Sequence, residues 1–325
     1  MEIDFAILCA GVTAGAAPIL LATLGETLTE KAGIVNLSLD GTILLSAMAA
    51  FVVAYNTRNV AAGFCVAALV GAAVAFLVAL FSVYWGQNQV AVGFVLTLMT
   101  RDLAYFLGNS YSRLPGPQAQ LMPIPGLREI PFLGPVFFAH SMPVYLSLVM
   151  ILFCYYHLYR TRWGLVARAT GEHPAAVFAR GFNPARLQLF YTVAGGLLVG
   201  LAGATFSLAV KPGWGRPQGC EGAGWIALAL VIFGGWHPVR AALGAYLFAF
   251  LQVAGIYMQN RLPSVPAQVF QVAPFPLMIF TLLIISFLQR ESVQRHMEQR
   301  PGWRALLNIL AGNAPAALGR PYRPE

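Results

Sequence analysis

Hydrophobic residues form nine long runs along this chain, separated by shorter stretches rich in polar residues, proline or glycine. A helix needs roughly 20 apolar residues to cross a bilayer core about 30 Å thick. The pattern therefore predicts an all-α polytopic membrane protein with about nine transmembrane helices, within a range of eight to ten. The runs cover 5–25, 39–55, 60–83, 90–107, 141–159, 186–209, 223–235, 238–257 and 270–288. The seventh run is short for a crossing, which favours a tilted or broken helix surrounded by protein.

Composition agrees with lipid as the solvent of this chain. Of its 325 residues, 58% are hydrophobic and 10% are charged, whereas soluble domains carry roughly 25% charged residues. The four cysteines form no CxxC pair, so the sequence predicts neither a metal site nor a disulfide framework. The opening residues, MEIDF, lack the basic start of a cleavable signal peptide, which predicts that the first run is retained as a span.

Basic residues set the expected orientation, because cytoplasmic loops carry an excess of lysine and arginine. Segment 160–186 contains five arginines, and the segment beyond Gln289 contains six. With both in the cytoplasm, the N-terminus lies outside a bacterial inner membrane, and Lys31 and Arg240 bring the cytoplasmic share to 13 of 20 basic residues. The net charge of +8 is thus a topology signal, and no nucleic-acid partner is expected.

The same pattern divides the chain into a transmembrane permease domain, 1–290, and a basic cytoplasmic tail, 291–325. The tail around Trp303 is either an interfacial helix or a disordered end. The Pro- and Gly-rich segment 108–140 faces outward, as a docking surface or a plain connector. Residues 66–77 and 239–251 resemble each other and run in opposite directions in this topology, which favours an inverted repeat.

Polar residues in segment 25–42 are candidates for a translocation path. Asn36, Ser38 and Asp40 alternate with leucines between two glycines. Because exposed carboxylates are unfavourable in lipid, this pattern favours an unwound or re-entrant stretch that forms part of the path or its cytoplasmic gate. The alternative is a loop in which Asp40 caps a helix.

The fourth run carries the other path candidates. Asn88 and Gln89 begin it, where neutral amides either hydrogen-bond a polar, uncharged solute or cap the helix. Asp102, beside Arg101, interrupts the run, and ions inside a membrane usually face a bundle interior or a cavity. The alternative for this pair is a shifted span that leaves it at an interface.

Segment 164–188 predicts a short helix outside the bilayer. Pro174 suits the first turn of a helix, and Gly181 suits its end. Residues 173–180 then form an isolated helix between two glycines. A helix this short is marginal alone in water, so it is expected to pack into a groove of a partner.

This segment resembles the coupling segment of ABC importer permeases of the branched-chain amino acid, ribose and nucleoside type. The shared pattern is GLxxRAxGExPxAA…GxN, and it is filled by Gly164, Leu165, Arg168, Ala169, Gly171, Glu172, Pro174, Ala175, Ala176, Gly181 and Asn183. Three more segments agree in order, Glu30 to Gly41, Asn88 to Gly93 and Gly224 to Pro238, so the resemblance covers about 20 to 290. It is strongest to the second permease of nucleoside importers.

The resemblance implies that a short helix docks on a separate ABC ATPase, which binds ATP and Mg²⁺. The coupling residues would be Gly171, Glu172, His173, Pro174, Ala175, Ala176 and Gly181. It also implies a second homologous permease, an extracytoplasmic solute-binding protein and surrounding lipid. Phe178, Arg180 and Phe182 depart from the usual residues, which suggests a matched ATPase.

No catalytic residue or cofactor is expected on this chain. A P-loop requires a lysine after a glycine, and neither Lys31 nor Lys211 meets this condition. Two alternatives stay open. One is a sugar or branched-chain amino acid permease of the same superfamily. The other is an ion-coupled secondary transporter, for which Asp102 is the one well-placed titratable residue at mid-depth.

Overall fold

The computed structural model describes residues 5–261 and 312–320, together with residues 265, 266, 269, 272, 276, 279, 280, 283 and 287. These parts of the chain contain eleven α-helices and no strand. The helices are α1 (Phe5–Lys31), α2 (Leu39–Thr57), α3 (Val60–Ala79), α4 (Gln89–Gly108), α5 (Leu133–Phe137), α6 (Met142–Arg160), α7 (Arg162–Glu172), α8 (Pro174–Ala179), α9 (Pro184–Thr205), α10 (Ala223–Phe233) and α11 (Pro238–Arg261).

Seven helices of the described residues are long and apolar enough to cross a membrane. They are α1, α2, α3, α4, α6, α9 and α11, and π-helical turns extend α3 through Leu80–Tyr84 and α9 through Phe206–Val210. The all-α polytopic prediction is therefore confirmed. The run at 223–235 forms the short helix α10, of 11 residues. The run at 270–288 and the tail around Trp303 lie outside the continuously described residues, so the structure does not establish nine spans.

Helix α9 lies at the centre of the bundle, packed against α1, α2 and α3. A Cβ added to Gly25 of α1 would lie 2.5 Å from the carbonyl oxygen of Gly195 in α9. One added to Gly196 would lie 2.6 Å from the carbonyl oxygen of Gly71 in α3. Small residues at these crossings let the backbones approach closely, which is a common way to join helices in lipid.

Helices α2 and α10 both begin inside the bundle. A Cβ on Gly41, in the first turn of α2, would collide with Thr97 and Thr100 of α4. At 1.5 Å per residue these positions lie roughly 12 to 17 Å along α4 from its start at Gln89, which is about halfway across. The chain between α1 and α2 therefore enters the bundle as a non-helical stretch, 32–38, while Asp40 lies in the first turn of α2, so both interpretations of this segment agree with the structure in part.

The two segments predicted to form an inverted repeat lie in α3 and α11. Each follows a helix that begins inside the bundle, since α2 precedes α3 and α10 precedes α11. Helix α3 packs on α9, and α11 packs on α1. The repeat itself stays a prediction.

Segment 108–140 covers one end of the bundle and contains only single helical turns, as its prolines predict. The ring of Phe132 stacks on Phe5 at the start of α1, with ring centroids 5.8 Å apart. The amide of Ala119 donates to the carbonyl oxygen of Leu208, 2.7 Å away, at the end of α9. The start of α1 and the end of α9 thus lie at this same end.

Segment 160–186 lies at the opposite end and is mainly helical. The predicted helix at 173–180 is confirmed as α8. The prediction that this helix is isolated was wrong, because α7 precedes it directly and packs against α1, α6 and α9. The buried residues Gly164, Ala167 and Gly171 recur every three or four positions along α7, a helical period that the loop assignment missed.

Candidate translocation path and coupling surface

The non-helical stretch between α1 and α2 runs alongside the first half of α4. The amide of Val35 donates to Oε1 of Gln89 over 2.9 Å, and the hydroxyl of Thr97 donates to the carbonyl oxygen of Leu37 over 2.6 Å. A Cβ on Gly93 would lie 2.8 Å from the backbone nitrogen of Leu37. Side chains of α4 thus satisfy backbone groups that a helix would have paired within itself.

Asn36 and Ser38 fold this stretch upon itself. Oδ1 of Asn36 accepts from both the amide and the hydroxyl of Ser38, over 3.0 and 2.6 Å. The amide of Asn36 donates to Oε1 of Glu26 in α1, 2.9 Å away. All three side chains are buried. Their polar groups hold the break in place and are turned away from solvent.

Asp40 joins the two helices that begin inside the bundle. Its Oδ1 accepts from the amide of Gly224 in the first turn of α10, 3.2 Å away, although 184 positions separate the two residues. A Cβ on Gly224 would collide with the backbone of Asp40. A carboxylate at a helix N-terminus is stabilised by the free amides and the helix dipole. Transporters commonly place substrate sites near midplane ends of broken helices.

Gln89 completes this buried group. It is 3% exposed, and its Nε2 has no hydrogen-bond partner among the described residues. The structure thus brings four of the six predicted path residues into one cluster, namely Asn36, Ser38, Asp40 and Gln89. We call these four residues the break cluster.

Asn88 and Asp102 lie apart from the break cluster, on the exposed side of α4. Oδ1 of Asn88 accepts from the amide of Ala91 over 3.1 Å and so caps α4. Starting from Asn88, exposed or half-buried residues recur along α4 at alternating intervals of four and three positions. Residues at this spacing lie in one row along the same face of a helix. This row, which we call the α4 seam, contains Asn88, Val92, Val95, Met99, Asp102, Phe106 and Asn109.

Two open cavities follow the α4 seam. One, of about 560 Å³, is mostly apolar and is lined by Phe81, Asn88, Val95 and Met99 among others. The other, of about 510 Å³, is polar and is lined by Asp102, Tyr105, Phe106, Asn109, Ser110 and Arg216. The seam therefore offers apolar, aromatic and polar surface along a single line.

Glu221, which the sequence did not single out, closes the loop before α10. The hydroxyl of Tyr105 and the amides of Gln218 and Gly219 donate to its carboxylate, the amides over 2.7 and 2.6 Å. Burial by itself raises the pKa of this carboxyl, but the hydrogen bonds from Tyr105 and the nearby amides outweigh it and lower the pKa below its usual value. The sequence feature that could have identified Glu221 is its position between Cys220 and Gly222, just before a short apolar run.

Helix α7 is fixed to the membrane-crossing helices at its start. The hydroxyl of Thr161 accepts from the amide of Gly164 over 3.0 Å and donates to the carbonyl oxygen of His157 over 2.6 Å. The hydroxyl of Tyr191 in α9 donates to the carbonyl oxygen of Trp163 over 3.1 Å. These bonds tie α7 to both α6 and α9.

The seven predicted coupling residues lie in or beside α8. Gly171 and Pro174 are buried, and a Cβ on Gly171 would collide with the carbonyl oxygen of Lys31 at the end of α1. Gly181 ends the helical region with φ of +87°, a conformation that favours glycine. The remaining four point outward or lie exposed, namely Glu172, His173, Ala175 and Ala176.

Large apolar side chains surround the exposed face of α8. Phe178 is 51% exposed, Trp163 is 60% exposed and Phe182 is 39% exposed, with the last two rings in edge contact at 6.3 Å. All three lie outside the membrane-crossing helices. Exposed apolar surface of this kind is typical of a site that contacts another protein or the membrane. Phe178 and Phe182, which differ from the residues usual in the coupling segment of similar permeases, both lie on this surface.

Comparison with known proteins identifies the family of this chain. A family described as the permease component of branched-chain amino acid transport systems matches residues 8–285. The chain belongs to this permease family. With seven apolar helices of spanning length, this family member is a multi-pass membrane protein. No solved structure matches it.

Several relatives of this family member are ABC transporter permeases. The putative glucose ABC transporter permease protein TsgC13 of Haloferax volcanii is 35% identical over 246 residues, 74% of each chain. The nucleoside ABC transporter permease protein NupC of Lactococcus lactis is 28% identical over 301 residues, 88% of this chain and 93% of the relative. The guanosine ABC transporter permease protein NupQ of Bacillus subtilis is 29% identical over 290 residues, 82% of this chain and 88% of the relative. The chain is accordingly an ABC transporter permease.

Proposed function

We propose that this permease imports a nucleoside across a bacterial inner membrane, as one subunit of an ABC importer with the N-terminus outside and the C-terminus in the cytoplasm. The observation that carries the proposal is α8, a short helix with exposed apolar surface beyond the spans, rigidly joined to α6 and α9 through α7. A separate ABC ATPase that binds ATP and Mg²⁺ covers this surface, and its closure moves α7 and α8 together.

The α4 seam supports pairing with a second, homologous permease. Asp102 is exposed 13 residues into α4, which places it roughly 20 Å from the start of that helix. A carboxylate at this depth is unfavourable against lipid. Two seams facing each other would shield it and enclose a solute path. The break cluster, at the level of the first half of α4, forms the inner support of that path.

The chemistry of the seam fits a nucleoside. A base stacks on aromatic rings such as Phe81 and Phe106, while the polar groups of Asn88, Asp102 and Asn109 suit ribose hydroxyls. The likeness to NupC and NupQ supports the same solute class. A sugar is the second candidate, favoured by the likeness to TsgC13. Family membership favours both over an ion-coupled carrier.

The tail 291–325 belongs, in this proposal, to the cytoplasmic side, next to the permease domain 1–290. An extracytoplasmic binding protein delivers the solute to the end of the bundle covered by 108–140. Arg113, Lys211 and Arg216 line a cavity of about 380 Å³ at that end and supply positive charge for docking.

Site-specific cross-linking tests the proposed coupling role. A photo-reactive residue at Ala176 in intact cells is expected to capture a protein that carries a P-loop and hydrolyses ATP. The control position is Asn109, which lies just after α4 at the end of the bundle opposite α8. A photo-reactive residue there is expected to capture no such protein. If Ala176 captures no ATP-hydrolysing protein while the permease is inserted normally, the proposal is wrong.

Solute identity needs a separate measurement. Cells that depend on this permease are expected to take up radiolabelled purine nucleoside, with competition by other nucleosides and none by glucose or leucine. Competition by glucose alone would assign the permease to the sugar class.

A further inference from the structure

Residues 312–320, which we call the C-terminal strap, return to the end of the bundle that carries α7 and α8. The amide of Ala317 donates to the carbonyl oxygen of Gly171 over 2.9 Å, and the amide of Gly319 donates to the carbonyl oxygen of Gly33 over 3.1 Å. Gly171 ends the buried face of α7, and Gly33 lies two residues after the end of α1. The strap thus joins two turns that are far apart in sequence.

Glu172, one of the predicted coupling residues, also contacts the strap. Its Oε2 accepts from the amide of Ala316 over 3.1 Å. Pro315, just before this amide, is buried against the body of the protein. Hydrogen bonds to a charged acceptor are stronger than those between neutral groups. The strap therefore engages the side chain at the junction of α7 and α8 as well as the backbone.

A third contact reaches the turn between α10 and α11. A Cβ added to Gly312 would lie 2.5 Å from Cα of Gly235. The two backbones are in direct contact, and no side chain larger than hydrogen fits between them. In the same turn, Nε1 of Trp236 donates to Oε2 of Glu30 in α1. The end of α1, the junction of α7 and α8, and the turn before α11 thus meet at the strap.

We infer that the C-terminal strap is an intrachain clamp, which ties the coupling helices to the ends of α1 and α10 and so passes movement of α8 to the helices that begin at the break. This inference rests on the proposed coupling role of α8. Gly33 and Gly171 lie on different elements whose backbones also touch directly, and amides of the strap donate to the carbonyl oxygens of both residues. When the strap leaves, the link from α8 to α1 loses these hydrogen bonds, and α7 retains its bonds to α6 and α9.

Gly312→Val tests the clamp, because its side chain would collide with Gly235. Asn313→Val is the matched control, since Asn313 is exposed and the added side chain is the same. Each hydrogen bond that is lost changes the docking equilibrium by about two- to tenfold. In the purified transporter, we expect the amides of Ala316, Ala317 and Gly319 to lose hydrogen-exchange protection by at least that factor in Gly312→Val and to keep it in Asn313→Val.

The functional readout is solute taken up per ATP hydrolysed. We expect this ratio to fall about two- to tenfold in Gly312→Val, with ATP hydrolysis maintained, and to stay unchanged in Asn313→Val. A chain that ends after residue 311 provides a second variant if Gly312→Val does not accumulate, and the same fall is expected.

Three results would overturn the inference. The first is unprotected hydrogen exchange at the amides of Ala316, Ala317 and Gly319 in the native transporter. The second is retained protection of these amides in Gly312→Val. The third is an unchanged ratio of solute taken up to ATP hydrolysed in a variant that has lost the strap. Failure of the proposed function is distinguishable, because it shows as a missing cross-link from Ala176, a measurement independent of amide exchange in the strap.

Discussion

The break cluster and the α4 seam both contain polar residues at membrane depth, yet their surroundings differ. Asn36, Ser38 and Asp40 are buried, Asn36 and Ser38 are hydrogen-bonded to each other, and Asp40 accepts from Gly224 in α10. Asn88 and Asp102 lie on exposed surface beside open cavities. The comparison teaches that an intramembrane polar residue either replaces lost helical hydrogen bonds or remains available to a solute or partner. Changes in the first region should affect folding, and changes in the second should affect transport.

Gly224→Val should produce the largest effect, because its side chain would collide with the backbone of Asp40 where α2 and α10 meet. We expect a loss of at least about 3 kcal/mol in stability, and therefore little folded permease. Size-exclusion chromatography of the detergent-solubilised protein measures this. Gly15→Val is the control, since a Cβ there has no neighbour within 4 Å. Equal yields of the two variants would show that the contact does not support the fold.

Asp40→Ala should come next, because it leaves the buried amide of Gly224 without its acceptor. The expected loss is about 1–3 kcal/mol, seen as a lower temperature of thermal unfolding in detergent. Asp40→Asn keeps an acceptor oxygen and should lose less. If Asp40→Asn abolishes uptake with unchanged thermal stability, Asp40 belongs functionally with the seam and the distinction between the regions is wrong.

Asp102→Asn should leave folding intact and impair transport. The carboxylate is exposed, so thermal stability is expected to match the native chain. Loss of a charged acceptor along the path should reduce uptake by about tenfold, the equivalent of one charge-assisted hydrogen bond. The neighbouring substitution Arg101→Gln serves as the comparison, because both residues are exposed but Arg101 does not line the cavity. Normal uptake by Asp102→Asn would show that the solute path does not run along the α4 seam.

Of the changes expected to lower stability, Asn88→Ala should have the smallest effect, a loss of about 1 kcal/mol, because Asn88 caps α4. Asn88→Ser keeps a capping oxygen and should restore thermal stability. The pair separates the two roles considered for this residue. If uptake is low in both variants, Asn88 contacts the solute. If uptake recovers together with stability, its role is the cap alone.

Local sequence patterns predicted those features whose cause is local. Pro174 and Gly181 bounded α8 correctly, and the polar residues between Gly33 and Gly41 marked the unwound stretch. The contact of Asp40 with Gly224 could not be predicted, because periodicity within a segment does not report which distant segment lies beside it. The strap was missed for the same reason.

The charge and polarity of the residues also did not allow the break cluster and the α4 seam to be distinguished from the sequence. Asn88 and Gln89 are adjacent and chemically alike, but a rotation of about 100° per residue places Gln89 against the break and Asn88 on the seam. The sequence therefore predicted both as path residues. Only the packing of α4 against the non-helical stretch before α2 assigns them different surroundings.

The glycine contacts of α9 restrict how this permease can change shape. Where Gly25 meets Gly195 and Gly71 meets Gly196, no flexible side chain separates the crossing backbones to absorb sliding. Helices α1, α3 and α9 are therefore held in direct backbone contact at these crossings, and bending is expected outside them. The wider coils at Leu80–Tyr84 and Phe206–Val210, at the ends of two of these helices, are where such hinges would lie.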